Sequence, residues 1–140
     1  MSRILAIDYG SRRVGLAVTD PQQLIATPLD TISPHSLIDY IKNYLLAESL
    51  EQIVVGYPLK EDGSPTDFTA MVDSLLLQLR KEFQGMPITT HDERYTSKLA
   101  QRSLIESGAR KKARRKKSNL DQISATLILQ SFLEEKPLSS

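Results

Sequence analysis

Four consecutive apolar residues, Ile4-Leu5-Ala6-Ile7, run straight into an acid, Asp8, and then a glycine-containing turn, Tyr9-Gly10-Ser11-Arg12-Arg13. An unbroken apolar run this short reads as a buried strand, Arg3 to Asp8, with the carboxylate at its C-terminal end. Val14 to Thr19 reads as a second strand, ended by Asp20-Pro21, and Leu24 to Ile32 as a third. Pro28 lies inside that third stretch, which suits an edge strand, where a missing N–H is tolerated. Connections this short make the three strands an antiparallel meander.

The period then changes. Ser33 reads as a helix cap with Pro34 at the first helical position, and Leu37, Ile38, Ile41, Tyr44 and Leu45 recur behind them at helical spacing. Gln52 to Gly56 is a short buried strand. Phe68, Met71, Val72, Leu75, Leu79 and Phe83 mark a second amphipathic helix, stopped by Gly85 and Pro87, and Ile88 to Asp92 is a fifth strand. Thr96 caps a third helix to about Ser107, closed by Gly108, and a last helix spans about Asn119 to Glu134. The fourth and fifth strands need helical crossovers and so pair in parallel. The simplest assembly is an α/β fold, a mixed five-stranded sheet flanked by helices. A length of 140 residues suits one domain, 1–140, with about 135–140 a loose tail.

Composition narrows the chemistry. There is no Cys, which removes disulfides, thiolate zinc sites and a cysteine nucleophile. Only His35 and His91 are present, so a bound metal must rely on oxygen ligands, which points to Mg²⁺ or Mn²⁺. The opening residues do not read as a signal peptide, and no stretch approaches the roughly 20 apolar residues that span a bilayer. A soluble cytoplasmic protein is expected. Between Arg110 and Lys117 seven of eight residues are basic: Arg110, Lys111, Lys112, Arg114, Arg115, Lys116 and Lys117. The remaining 11 Lys and Arg face 17 Asp and Glu, so a mildly acidic body carries one concentrated basic segment. That contrast suggests a polyanionic partner, although a solvated loop would share the composition.

Three carboxylates stand out. Asp8 ends the first strand, at the rim where ligands collect in α/β sheets; an Asp opening a tight turn would look the same. Glu93 follows the fifth strand in His91-Asp92-Glu93-Arg94, an unusually charged strand-to-helix loop. If the fourth and fifth strands run parallel to the first, Glu93 emerges at the same rim; a polar loop with an Asp–Arg pair is the plainer account. Asp121 lies in the first turn of the last helix, where the macrodipole alone favours an acid. Three acids from distant elements converging on one rim would suit two-metal phosphodiester chemistry, in which carboxylates hold two cations roughly 4 Å apart.

At this point the motifs match a family. Ile7-Asp8-Tyr9-Gly10-Ser11-Arg12-Arg13-Val14-Gly15-Leu16-Ala17 resembles the opening of the YqgF family, also called RuvX. Val55-Gly56-Tyr57-Pro58-Leu59, then Asp92-Glu93-Arg94-Tyr95-Thr96-Ser97, then Arg110 to Lys117 with Asp121-Gln122-Ile123-Ser124-Ala125, resemble its later motifs in order. One departure is Ser124-Ala125, where an Ala-Ala pair is usual; serine is small enough to keep the packing. The resemblance covers Arg3 to about Leu133. It implies an RNase H-like fold and a Mg²⁺-carboxylate site with Asp8, Glu93 and Asp121 as metal-binding catalytic residues. Members are described as pre-16S rRNA nucleases and, in some cases, as Holliday junction resolvases.

Within that frame Gly10 and Gly15 would let the first hairpin turn tightly beside a phosphate chain. Arg12 and Arg13 could contact backbone phosphates, and Arg94 a phosphate or, preferably, Asp92. The basic segment would grip phosphates without reading bases. His91 reads as structural, because a metal that lowers the pKa of water needs no histidine base. The leading expectation is a two-metal nuclease on structured RNA or branched DNA, most simply at the 5′ end of pre-16S rRNA, as a monomer or homodimer. Rivals are a junction resolvase, which needs a twofold dimer to cut two strands symmetrically, and a catalytically silent RNA-binding protein. A nucleotide-binding module of the sugar-kinase or actin type shares the architecture, but the chain is too short for its two-domain cleft.

Overall fold

The computed structural model describes residues 2–94 and 117–135. Five strands form one sheet in the order β3-β2-β1-β4-β5: β1 (Arg3–Tyr9), β2 (Val14–Thr19), β3 (Ala26–Ile32), β4 (Leu50–Tyr57) and β5 (Ile88–Asp92). β1 pairs antiparallel with β2, and β2 with β3. β4 pairs parallel with β1, and β5 with β4. The expected mixed sheet is therefore the observed one, with the uninterrupted apolar strand β1 at its centre. Helices α1 (Leu37–Ala47), α2 (Thr69–Glu82) and α3 (Lys117–Glu135) complete the described architecture. The expected helix from Thr96 to Ser107 lies outside the described residues, as do residues 136–140 of the expected tail.

Local chemistry explains the joints. At the first hairpin the Gly10 N–H donates to the Arg13 carbonyl at 2.9 Å, and a Cβ on Gly10 would lie 2.6 Å from that same oxygen. The β2–β3 connection is organised by Asp20, whose carboxylate accepts from the Leu24 and Ile25 N–H groups at 2.8 Å each. Pro28 does sit on an edge strand, opposite Ala17, where the register shifts between Leu16 and Ala17. Ser33 stands at the N-cap position with Pro34 behind it, as expected, but its side chain makes no capping bond. Pro34–Ser36 form a 3-10 turn first, and the Ser33 hydroxyl pairs with the Ser36 hydroxyl at 2.8 Å instead of a backbone N–H. α2 is started by threonines: the Thr66 N–H donates to Thr69 Oγ1 at 2.8 Å, and that hydroxyl donates to the Pro58 carbonyl at 2.7 Å.

Strand alternation sorts the core into two layers. Leu5, Ile7, Val14, Leu16, Val18, Ile53 and Val55 face α1 and α2, packing on Leu37, Ile41, Val72, Leu75, Leu76, Leu79 and Phe83. Ile4, Ala6, Ala17 and Val54 face the other way, onto Ala125, Ile128 and Leu129 of α3. The second layer is built from smaller side chains, so α3 lies close to the sheet. That closeness brings the start of α3 to the rim.

Candidate active site

Parallel pairing places the C-terminal ends of β1, β4 and β5 at one rim. Asp8 shares the α3 face with Ile4 and Ala6, since residues two apart on a strand point the same way. Its neighbours on either side are glycines. Asp8 pairs with Gly15 on β2, and because Ile7 pairs with Val55, Gly56 comes next to Asp8 on β4. The space left by each missing side chain is taken up by another part of the site. A Cβ on Gly56 would lie 2.6 Å from Glu93 Oε1 and 2.6 Å from Ile128 Cδ1. A Cβ on Gly15 would run into the Asp121 carbonyl and lie 3.0 Å from the Asp121 Cβ. Gly15 sits inside β2, as the expected strand Val14 to Thr19 has it, but serves as the seat of α3 rather than to tighten the hairpin. Gly56, which drew no role from the sequence, makes room for Glu93. A glycine inside a strand pattern, signalling close approach of another group, is the clue that was available for both.

Glu93 continues the β4–β5 ladder one step past Asp92, its N–H donating to the Tyr57 carbonyl at 3.0 Å. Its side chain hydrogen-bonds Asp8. Burial pushes the Asp8 carboxyl above its ordinary range; the hydrogen bond from Glu93 opposes that rise, and the Asp121 charge adds to it. Glu93 is pushed up to about 8, first by burial, then by the Asp8 charge and the hydrogen bond it donates to Asp8, with Asp92 adding a smaller push. Both carboxyls are pushed up together because two like charges this close and this dry repel, so the pair holds a shared proton more readily than either acid would alone. Asp121 is near enough for its charge to act on Asp8, but its Oδ2 accepts from Arg13 Nε at 2.7 Å. Among the described residues no three carboxylates close around one point as a finished cation cage. The donor set is all carboxylate oxygen in a poorly hydrated rim, and a divalent cation would relieve the repulsion that the shared proton now relieves. These residues fit Mg²⁺ or Mn²⁺.

The other expected contributors fall differently. Arg12 is exposed at the tip of the first hairpin, while Arg13 is turned onto Asp121. Arg94 makes the pair with Asp92, donating from Nε at 2.9 Å and Nη2 at 2.6 Å to Oδ2, and this holds the Asp92 carboxyl below its ordinary range. Arg94 Nη1 also donates to the Glu61 carbonyl at 3.2 Å, tying the end of β5 to the loop after β4. His91 is buried between β5 and α3, hydrogen-bonded through Nε2 to Ser131 Oγ at 2.8 Å and edge-on to Phe132. Its Nδ1 also lies 3.5 Å from Glu135 Oε2, so the ring is braced against α3. His35 lies exposed in the 3-10 turn. Arg110, Lys111, Lys112, Arg114, Arg115 and Lys116 lie outside the described residues, and Lys117 enters only as the first residue of α3.

The sequence model of the RuvX family, described as "Holliday junction resolvase", matches residues 2–135. A protein of Amoebophilus asiaticus named "Putative pre-16S rRNA nuclease" is 49% identical over 133 residues, 95% of this chain and 94% of the relative. A Bacteroides fragilis protein of the same name is 45% identical over 138 residues, 99% of this chain and 100% of its own length. Among solved structures, the fowlpox virus resolvase in complex with Holliday junction DNA superimposes with a TM-score of 0.57 at 12% identity, covering 94% of this chain and 97% of that one. Thermus thermophilus RuvC, with a Holliday junction substrate, gives 0.54 at 16% identity, covering 99% of this chain and 100% of that one. At these identities the structural likeness concerns the fold, which is RNase H-like.

Proposed function

The chain belongs to the RuvX family, and on that premise we propose that it is a divalent-metal-dependent endonuclease that processes the 5′ end of pre-16S rRNA. Hydrolysis of a phosphodiester bond is the chemistry common to the family's resolvase description and the nuclease names of its relatives. The observation that carries the reading is the Asp8–Glu93 pair at the sheet rim, with the Asp121 charge acting on Asp8. Asp8, Glu93 and Asp121 would hold the metal. Two bound Mg²⁺ ions would supply an activated water and stabilise the oxygen that leaves.

The chain's own residues supply the rest. Glu93, hydrogen-bonded to Asp8, would hold the cation beside it as a carboxylate, free of the proton that the pair otherwise shares. Arg12, at the exposed tip of the hairpin beside the rim, meets backbone phosphates, and the basic segment Arg110 to Lys117 adds sequence-independent grip. Arg94 keeps the loop that carries Glu93 in place through Asp92 and Glu61. The reaction would take place in the cytoplasm, where precursor rRNA is made; among the described residues no helix is long and apolar enough to cross a membrane.

Cleavage of four-way DNA junctions is the second reading, favoured by the family description. It uses the same carboxylates and demands in addition a twofold dimer. Wild type and Asp8→Asn, incubated with a labelled pre-16S 5′-leader RNA and a mobile four-way DNA junction in Mg²⁺, Mn²⁺ or EDTA, separate the readings. Metal- and Asp8-dependent trimming of the RNA is expected. Paired symmetrical nicks in the junction alone would make the chain a resolvase. Salt-sensitive binding of both without cutting of either would leave a binding protein.

A further inference from the structure

Among the described residues, Arg13 is a basic side chain that grips a member of the carboxylate set directly. Its Nε donates to Asp121 Oδ2 at 2.7 Å across 108 residues of sequence, and both side chains are partly open to solvent, at 38% and 25% exposure. That is the whole hydrogen bonding of the Arg13 side chain among the described residues, leaving the Nη fork, the part of a guanidinium that fits phosphate in two-point fashion, without a partner there. Asp121 is held by a side chain of the first hairpin, next to exposed Arg12, and among the described residues does not close a cage with Asp8 and Glu93. The backbone gives Asp121 little freedom to withdraw, since its carbonyl is seated over Gly15; the side chain is what can change partner.

We propose that Arg13 is an exchangeable latch on Asp121: it neutralises this carboxylate while no cation is bound and transfers to a backbone phosphate of the incoming nucleic acid. The proposal rests on the reading of Asp8, Glu93 and Asp121 as metal ligands. Its electrostatic logic is a swap of partners. Before binding, Asp121 is matched by Arg13. Afterwards Asp121 is matched by the divalent cation and Arg13 by the phosphate, so no charge at the rim is left uncompensated. An arginine beside Asp121 also repels an arriving cation, and a phosphate that draws the arginine away removes that repulsion. Cation and nucleic acid then strengthen each other's binding, by the same factor in either order.

The test measures binding, not cutting. Mn²⁺ is titrated calorimetrically into full-length wild type, Arg13→Gln, Arg13→Lys and Asp121→Asn, and into Arg13→Gln combined with Asp121→Asn. Affinity for a fluorescent four-way DNA junction is measured for the same proteins in EDTA and in Ca²⁺. Arg13→Gln is expected to bind Mn²⁺ more tightly than wild type by about fivefold, the low end of ordinary coupling, and to gain less junction affinity from Ca²⁺. The tightening should vanish in the Asp121→Asn background. Arg13→Lys, which keeps the charge, should retain most of the coupling and so separates the latch from a general loss of structure. Weaker Mn²⁺ binding by Arg13→Gln would show that Arg13 is a permanent support of Asp121 and overturn the latch. So would unchanged coupling. A wild type that binds no Mn²⁺ at all would overturn the carboxylate site itself, and the latch with it.

Discussion

At the scale of single residues, the site depends on groups that are absent as much as on groups that are present. Gly15 and Gly56 flank Asp8, and each leaves its place to a neighbour. Gly56→Ala would press its methyl against Glu93 and Ile128. Overpacking of this kind costs about 1–3 kcal/mol, to be read from urea unfolding, and cleavage should fall by more than the stability loss explains, since Glu93 must move. Gly15→Ala meets backbone rather than a side-chain tip and should be the more damaging of the two; equal stability of both variants would contradict the seating of α3 on Gly15. The shared proton gives a second expectation. Glu93 is raised from an ordinary 4.5 to about 8, so over that window the folded metal-free chain keeps a proton that the unfolded chain has released. Folding stability from this group therefore falls as pH rises through the window. In EDTA the melting temperature of Glu93→Gln should gain on wild type steadily from about pH 5 to about pH 8, and Mg²⁺ should narrow the gap. A gap that does not change with pH would mean that the pair is not crowded as described.

Among the elements, α3 has the largest influence on the site because it both covers one face of the sheet and carries Asp121. Its anchor is Ala125, Ile128 and Leu129 against Ile4, Ala6, Ala17 and Val54. Leu129→Ala should destabilise the fold by about 2–5 kcal/mol, the range for truncating a buried leucine. Because the damage is to the helix that positions Asp121, divalent-cation affinity should weaken even in conditions where the variant is folded. Calorimetric titration of Mn²⁺ checks this, and wild-type affinity in a destabilised but folded variant would detach α3 from the metal site. The edge strand β3 tells a simpler story: Pro28 is accepted where the register already slips, so nothing in the ladder waits for its missing N–H.

For the molecule as a whole, the proposed function assigns the basic run from Arg110 to Lys117, set against a mildly acidic body, to affinity rather than chemistry. Binding of either nucleic acid should weaken with salt, and the slope of log K against log salt should drop by about 0.7–0.9 for each phosphate contact removed. Lys111→Gln with Lys112→Gln should flatten that slope while leaving the metal dependence of cleavage at saturating substrate unchanged. A slope that stays at the wild-type value would take the basic run out of the interface.

The sequence by itself determined the five strands and the three described helices, and the donor chemistry open to a metal. An apolar run with no polar face had to become a central strand, and short connections followed by helical crossovers left few ways to order the sheet. Absence of cysteine and near-absence of histidine restricted any metal to carboxylate oxygen. Strand ends were legible because period-2 patterning stops where burial stops, and the RuvX resemblance then singled out Asp8, Glu93 and Asp121. What the tertiary structure decided were relations between distant residues. No local pattern shows that Gly15 lies under the Asp121 carbonyl, that Gly56 leaves space for Glu93, or that Arg13 reaches across 108 residues to Asp121. Those contacts arise only when the parallel pairing of β1 and β4 and the close seating of α3 bring the chain's two ends to one rim.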